Sequence, residues 1–222
     1  MSDAFFARAP LQPQSRLWVW RVGFPPVRAI ASFLAPWRIE GLARLPQGDG
    51  FVVVANHINW KDPPWIEFAV GRAIRYMAKR EVFDFPLLGL LLRSIGCFPV
   101  RRGESDRRAM VLALRVLEAG QPLGFFPEGH RSESGALIRA HPGIAFLALR
   151  SGKTCVPLAV MGTDRSRLGR FWRRDILLRI GEPFRARDLP EVSSGDEQAI
   201  ADAIMRRIAE LLPTDMRGVY ST

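Results

Sequence analysis

A chain of 222 residues, 48% of them hydrophobic, can bury one substantial core, and its length leaves room for at most two small domains. The formal charge of +10 arises from 32 basic against 22 acidic residues, and all the basic ones except Lys61, Lys79 and Lys153 are arginine, which forks onto phosphates. An anionic partner follows, whether membrane surface, nucleic acid or phosphorylated substrate, unless the arginines only form a solvated surface. Cys97 and Cys155 both lie in apolar runs, which points to buried free thiols in a reducing setting rather than a disulfide framework. The three histidines, His57, His130 and His141, have no zinc-like spacing with the cysteines, so no metal site is expected.

The first 16 residues lack the apolar core of a cleavable signal. From Leu17 to Trp37 the chain is apolar and aromatic, but Arg21, Pro25, Pro26 and Arg28 interrupt it before the roughly 20 unbroken apolar residues a spanning helix needs. Trp18, Trp20, Phe24, Phe33 and Trp37 interleave with Arg16, Arg21, Arg28 and Arg38, the composition of a segment lying on a bilayer; packing onto the core is the other reading. Residues 1–45 are therefore expected to form an amphipathic membrane-contacting segment, and 46–222 the catalytic domain. A turn cluster, Pro46 to Gly50, introduces a strand over Phe51–Ala55. A helix from Pro63 to about Val70 follows, with Asp62 as its N-cap and the prolines in its first turn. Strands are expected over Ile74–Ala78, Gly96–Val100, Pro122–Phe126, Thr154–Val160 and Ile176–Ile180. Helices are expected over Pro86–Ser94, Ser105–Ala119, Pro142–Arg150 and Asp196–Leu212. This alternation implies a single α/β sandwich, a largely parallel mixed sheet flanked by helices.

Three strand ends carry chemistry. Asn56-His57-Ile58-Asn59-Trp60-Lys61-Asp62 sets a histidine and an aspartate five residues apart, too far for one strand and off register for one helical face. They meet only if the chain turns between them, and then Asp62 can fix the tautomer of a His57 general base. A solvated loop histidine beside a helix cap is the bland alternative. Phe125 to Ser132 ends a strand in Glu128, Gly129 and Arg131: the glycine admits a ligand near the backbone, and Arg131 can grip a phosphate while Glu128 accepts from a hydroxyl or holds the arginine. Gly96 to Arg102 brings two more arginines to a strand terminus, a phosphate site or a solvated edge. In a parallel sheet such carboxyl ends converge on one crevice. A segment from Arg165 to Arg174 sets Phe171 and Trp172 among arginines, a second candidate membrane contact.

At these positions the chain resembles the glycerolipid (lysophospholipid) acyltransferase family, over roughly Gly50 to Val160. Its four blocks are present in order: Asn56-His57 through Asp62; Gly96 through Arg102; Phe126-Pro127-Glu128-Gly129-His130-Arg131-Ser132; and Val156-Pro157-Leu158. His130 stands where the family usually has threonine or another small residue, and the basic-Gly element after the third block reads Arg139-Ala140-His141-Pro142-Gly143, which bears on substrate detail. The resemblance implies transfer of an acyl group from acyl-CoA or acyl carrier protein to the free hydroxyl of a lysophospholipid, typically 1-acyl-glycerol 3-phosphate. His57 and Asp62 would be catalytic; Asn56, Arg102, Glu128, Gly129, Arg131 and Ser132 would bind substrate. The thioester is a co-substrate and no cofactor is implied. A backbone amide near Asn56 would supply the oxyanion contact. A peripheral position on the cytoplasmic face of the membrane, on anionic lipids, follows from the lipid acceptor. Two rival readings stand: the same chemistry on another lysophospholipid, an ornithine lipid or a glycolipid, and a non-catalytic basic module on a membrane surface. No nucleic-acid motif is visible.

Overall fold

A computed structural model describes residues 19–48, 50–101, 106–164 and 176–221. Its sheet has eight strands: β1 Trp37–Glu40, β2 Val52–Ala55, β3 Arg75–Lys79, β4 Phe98–Val100, β5 Leu123–Phe125, β6 Thr154–Met161, β7 Ile176–Ile180 and β8 Phe184–Arg185. The order is β1-β7-β6-β2-β5-β3-β4, with β8 also on β6. Strands β6, β2, β5, β3 and β4 are mutually parallel, while β7 and β8 pair with β6 in the opposite direction and β1 follows β7. A mostly parallel mixed sheet between helices is the expected architecture.

Among the described residues the α-helices are α1 Phe24–Leu34, α2 Asp62–Val70, α3 Pro86–Ser94, α4 Arg107–Glu118, α5 Gly143–Ser151 and α6 Glu197–Ala209. All four residues of β2 are buried because both faces of the sheet are covered. The strand pleat then sorts the core into two layers. Val52 and Val54 face a cluster built with Ala113, Val116 and Leu117 of α4, Ile144 and Leu147 of α5 and Ile204 and Ile208 of α6. Val53 and Ala55 face a second cluster with Trp65, Ile66 and Phe68 of α2, on which Phe24 and Ala31 of α1 and Leu92 of α3 also pack. Asp106 accepts a hydrogen bond from the Ala109 amide to start α4, and Asp196 accepts one from Gln198 to start α6.

Pro25 and Pro26 do not interrupt the N-terminal segment; they open α1, where a missing N–H costs nothing. β1 lies on the N-terminal side of residue 46 and is an integral strand, so the expected boundary at 45/46 falls inside one sheet. No described helix is long and apolar enough to cross a membrane. Trp18, Arg16 and the 165–174 stretch lie outside the described residues.

Connectivity places the crevice. After β2 the chain leaves toward α2 on one face of the sheet, whereas after the neighbouring β5 it leaves toward α5 on the other. Two adjacent parallel strands whose connections part in this way open a cleft beyond their carboxyl ends. His57 follows β2 and Glu128 follows β5.

Candidate active site

The loop from β2 to α2 folds back so that His57 Nδ1 lies 2.9 Å from Asp62 Oδ2, with both residues buried. That oxygen also accepts from the amides of Ile58 and Asn59 at 2.8 and 2.7 Å, while Asp62 Oδ1 accepts from the Thr163 hydroxyl. Backbone N–H groups can only donate, so the oxygen facing the ring is an acceptor and Nδ1 carries the proton, which leaves Nε2 as the basic nitrogen. Asp62 therefore does not act as the expected N-cap. Its side chain turns back onto the loop, and Lys61 occupies the cap position without a side-chain bond. The Phe126 ring stacks on the imidazole with centroids 4.2 Å apart, and Tyr76 stacks on Phe126 at 5.8 Å. Gly124 makes this possible, since a Cβ there would run into the Tyr76 ring.

Glu128 approaches from β5. Its Oε1 accepts from the His57 amide at 3.2 Å, and its Oε2 is buried with no hydrogen-bond partner. Burial is the main reason the carboxyl is pushed up to about 8; the His57 N–H opposes that rise and Asp62 adds to it. Glu128 thus turns inward and does not hold Arg131, which lies exposed. Gly129 has φ +73, and a Cβ there would come within 2.7 Å of the His141 ring, so the turn tolerates only glycine. Ser132 is buried; its amide donates to the His57 carbonyl at 2.8 Å and its hydroxyl to the Ala136 carbonyl at 2.6 Å. Asn56, expected at the substrate, instead uses both amide atoms on Val160: Nδ2 donates to the carbonyl at 2.9 Å and Oδ1 accepts from the N–H at 2.7 Å. The amides of residues 57, 58, 59, 61 and 62 all donate within the loop or to Glu128, and none of these five is open to an oxyanion. Arg102 lies outside the described residues, and Arg101 next to it is exposed, its amide bound to Asp106. Among the described residues no three His, Cys, Asp or Glu side chains are grouped to hold a metal ion.

Residues 37–161 match the sequence profile of the family described as Acyltransferase, over half of the chain. The chain belongs to that family. This acyltransferase is similar to the 1-acyl-sn-glycerol-3-phosphate acyltransferase of Bacillus subtilis, with 29% identity over 83% of this chain and 92% of that one. A chloroplastic enzyme of the same name from Arabidopsis thaliana is 33% identical over 57% of this chain but only 36% of its own length. The lyso-ornithine lipid O-acyltransferase of Pseudomonas aeruginosa is 32% identical over 48% of this chain and 41% of its own. Among solved structures, the LPA acyltransferase PlsC of Thermotoga maritima shares the fold, with a TM-score of 0.69, 21% identity and 94% of this chain and 87% of that one covered.

Sequence reasoning missed Thr163, Phe126 as a ring platform and Tyr76. A signal for Thr163 was present: Gly162-Thr163 directly follows the apolar strand β6, which is parallel to β2 and ends at the same side of the sheet as His57.

Proposed function

We propose that this enzyme moves a fatty acyl group from a thioester, acyl-CoA or acyl carrier protein, to the free hydroxyl of a lysophospholipid, with 1-acyl-sn-glycerol 3-phosphate as the first candidate and phosphatidate as product. The observation that carries the reading is the buried His57–Asp62 contact at the carboxyl end of β2, which leaves Nε2 basic. An alcohol is a poor nucleophile at neutral pH. His57 Nε2 takes its proton as the oxygen attacks the thioester carbonyl, and Asp62 steadies the imidazolium. Collapse of the tetrahedral intermediate breaks the C–S bond, leaves the new ester and passes the proton from His57 to the departing thiolate. A covalent acyl-enzyme would need a nucleophile beside the base. The Ser132 and Thr163 hydroxyls are bound to Ala136 and Asp62, and burial pushes both cysteine thiols up to about 12. Direct transfer is thus the route these groups support. Arg131, exposed at the rim, and Arg102 supply the guanidinium groups for the acceptor phosphate.

A bilayer-borne acceptor calls for a peripheral seat on the cytoplasmic membrane face. The exposed apolar faces of α1 (Val27, Ile30, Phe33) and α3 (Leu87, Leu90, Leu91) support it. An ornithine-lipid acceptor is the second reading, favoured by the Pseudomonas relative; its headgroup carries no phosphate.

The test incubates purified enzyme with oleoyl-CoA or oleoyl-acyl carrier protein and 1-oleoyl-glycerol 3-phosphate, lysophosphatidylglycerol or lyso-ornithine lipid, with products read by mass spectrometry. Acylation of the lysophosphatidate should lead, and His57→Ala should lower it about a thousandfold. No acylated product from any donor and acceptor pair, or a His57→Ala protein as active as the parent, overturns the reading.

A further inference from the structure

Four donors converge on Asp62, and three of them, His57 Nδ1 and the amides of Ile58 and Asn59, belong to its own loop and crowd one oxygen, Oδ2. The fourth comes from 101 residues away: Thr163, whose hydroxyl donates to Oδ1 at 2.5 Å. Thr163 lies two residues beyond β6, is fully buried, and follows Gly162 at φ +84. That left-handed residue turns the chain at the strand end and allows the hydroxyl to reach back toward α2. Among the described residues, it is the donor that ties the Asp62 carboxylate to a strand outside the loop.

The three donors on Oδ2 belong to the same loop as Asp62 and move with it, so they set the carboxylate relative to that loop and not relative to the sheet. The Thr163 hydroxyl, just beyond β6, gives Oδ1 a reference outside the loop. Held to both, the carboxylate keeps an Oδ2 lone pair along the Nδ1–H bond, and the ring in turn aims Nε2 at the crevice. We infer that Thr163 is a positioning residue for acyl transfer, acting through Asp62 on the tautomer and orientation of His57. This inference rests on the proposed role of His57 as base.

Two readouts test it, one of them independent of substrate. In a long-range ¹⁵N–¹H correlation spectrum, with the His57 signals identified by comparison with His57→Ala, the parent should show the Nδ1–H form. Thr163→Val, which keeps the shape and loses the hydroxyl, should gain Nε2–H form; Thr163→Ser should resemble the parent. Kinetically, with oleoyl-CoA and 1-oleoyl-glycerol 3-phosphate, Thr163→Val should lower kcat about tenfold to thirtyfold with KM within about twofold, and Thr163→Ser should stay within about threefold of the parent. Placed on an Asp62→Asn background, Thr163→Val should cost less than about twofold, since its route has been removed. A loss that persists in full on that background, or that serine fails to rescue, assigns the hydroxyl a merely structural role and overturns the inference. So does a Thr163→Val spectrum identical to the parent's. An active parent whose activity survives His57→Ala instead sinks the proposed function, a separate failure. Should Thr163→Val misfold by near-ultraviolet circular dichroism, Thr163→Ala takes its place in each comparison.

Discussion

Asn56 stands immediately before His57, the proposed base, and its side chain mimics one more rung of the β2–β6 ladder. Pairing in register ends at Ala55 with Leu158, and Asn56 carries it on by bonding both backbone groups of Val160 through its amide. Asn56→Ala removes both partners and leaves a buried N–H and C=O unpaired, each worth about 1–3 kcal/mol. A loss of about 3 kcal/mol in urea unfolding is expected, with kcat falling because the β2 end that carries His57 loosens. Asn56→Asp keeps the acceptor for the Val160 N–H but sets a second oxygen against the Val160 carbonyl, so it should be nearly as unstable. If Asn56→Ala unfolds like the parent, the ladder role fails. The sequence marked Asn56 and Ser132 as special, because they sit in the motifs with His57 and Glu128, but not their task. A motif records which side chains must be present, whereas a bond to Val160 or Ala136 depends on a register that only the folded sheet defines.

Helix α2 carries Asp62 at its head and, beyond it, Glu67, a carboxyl buried between α2 and the start of β3. Glu67 Oε1 accepts from the Ile74 amide at 3.1 Å. Burial lifts this group from 4.5 to about 8, more than the amide bond and nearby Arg75 can offset. Arg75, itself buried and brought down to about 10, stays charged through bonds to Gln121 Oε1 and the Ile95 carbonyl. Between the two Glu67 values the unfolded chain has released its proton while the folded one keeps it. The folded state therefore binds more protons, and stability falls as pH rises through that window. Glu128 behaves alike, with the same direction and burial as its main cause. The urea midpoint should thus decline from about pH 5 to about pH 8, and Glu67→Gln, which keeps the acceptor for Ile74, should remove roughly half of that decline. An unchanged decline in Glu67→Gln would show that Glu67 ionises near its ordinary value. Gly124 gives a second expectation: Gly124→Ala pushes Tyr76 against Phe126 and through it the imidazole, so kcat should fall about tenfold with KM little changed. An unaffected kcat would release the ring stack from any part in catalysis.

At the scale of the whole molecule, the parallel core was legible because strands such as β2 and β6 are short apolar runs bounded by Gly and Pro, and helices such as α4 show their stripe between Asp106 and Gly120. β1 and β8 were not, having four and two residues and no run to announce them. α1 hid behind two prolines that read as breaks until their place in its first turn is seen. What the pattern could not convey is which apolar helices stay uncovered. In α3 only Gly89 is buried, and Phe85, Leu87, Leu90 and Leu91 are 63%, 85%, 64% and 50% exposed. α3 follows β3, parallel to β2 through β5, so its N-terminus lies at the same sheet end as His57 and the exposed Trp60. α1 packs on the same face of the sheet as α3 and exposes Val27, Ile30 and Phe33 beside Arg21 and Arg28. Arginine attraction to anionic headgroups decays with salt, whereas burial of leucines in the acyl region does not. Flotation with vesicles of phosphatidylglycerol and phosphatidylcholine should accordingly show binding that weakens but persists when salt rises from about 0.1 M to about 1 M. Leu87→Glu with Leu90→Glu should abolish the salt-resistant part and leave the low-salt part, with acylation of vesicle-borne lysolipid falling in proportion. Binding that vanishes with salt in the parent would assign the seat to the arginines alone, and a double variant that floats like the parent would take α3 off the membrane.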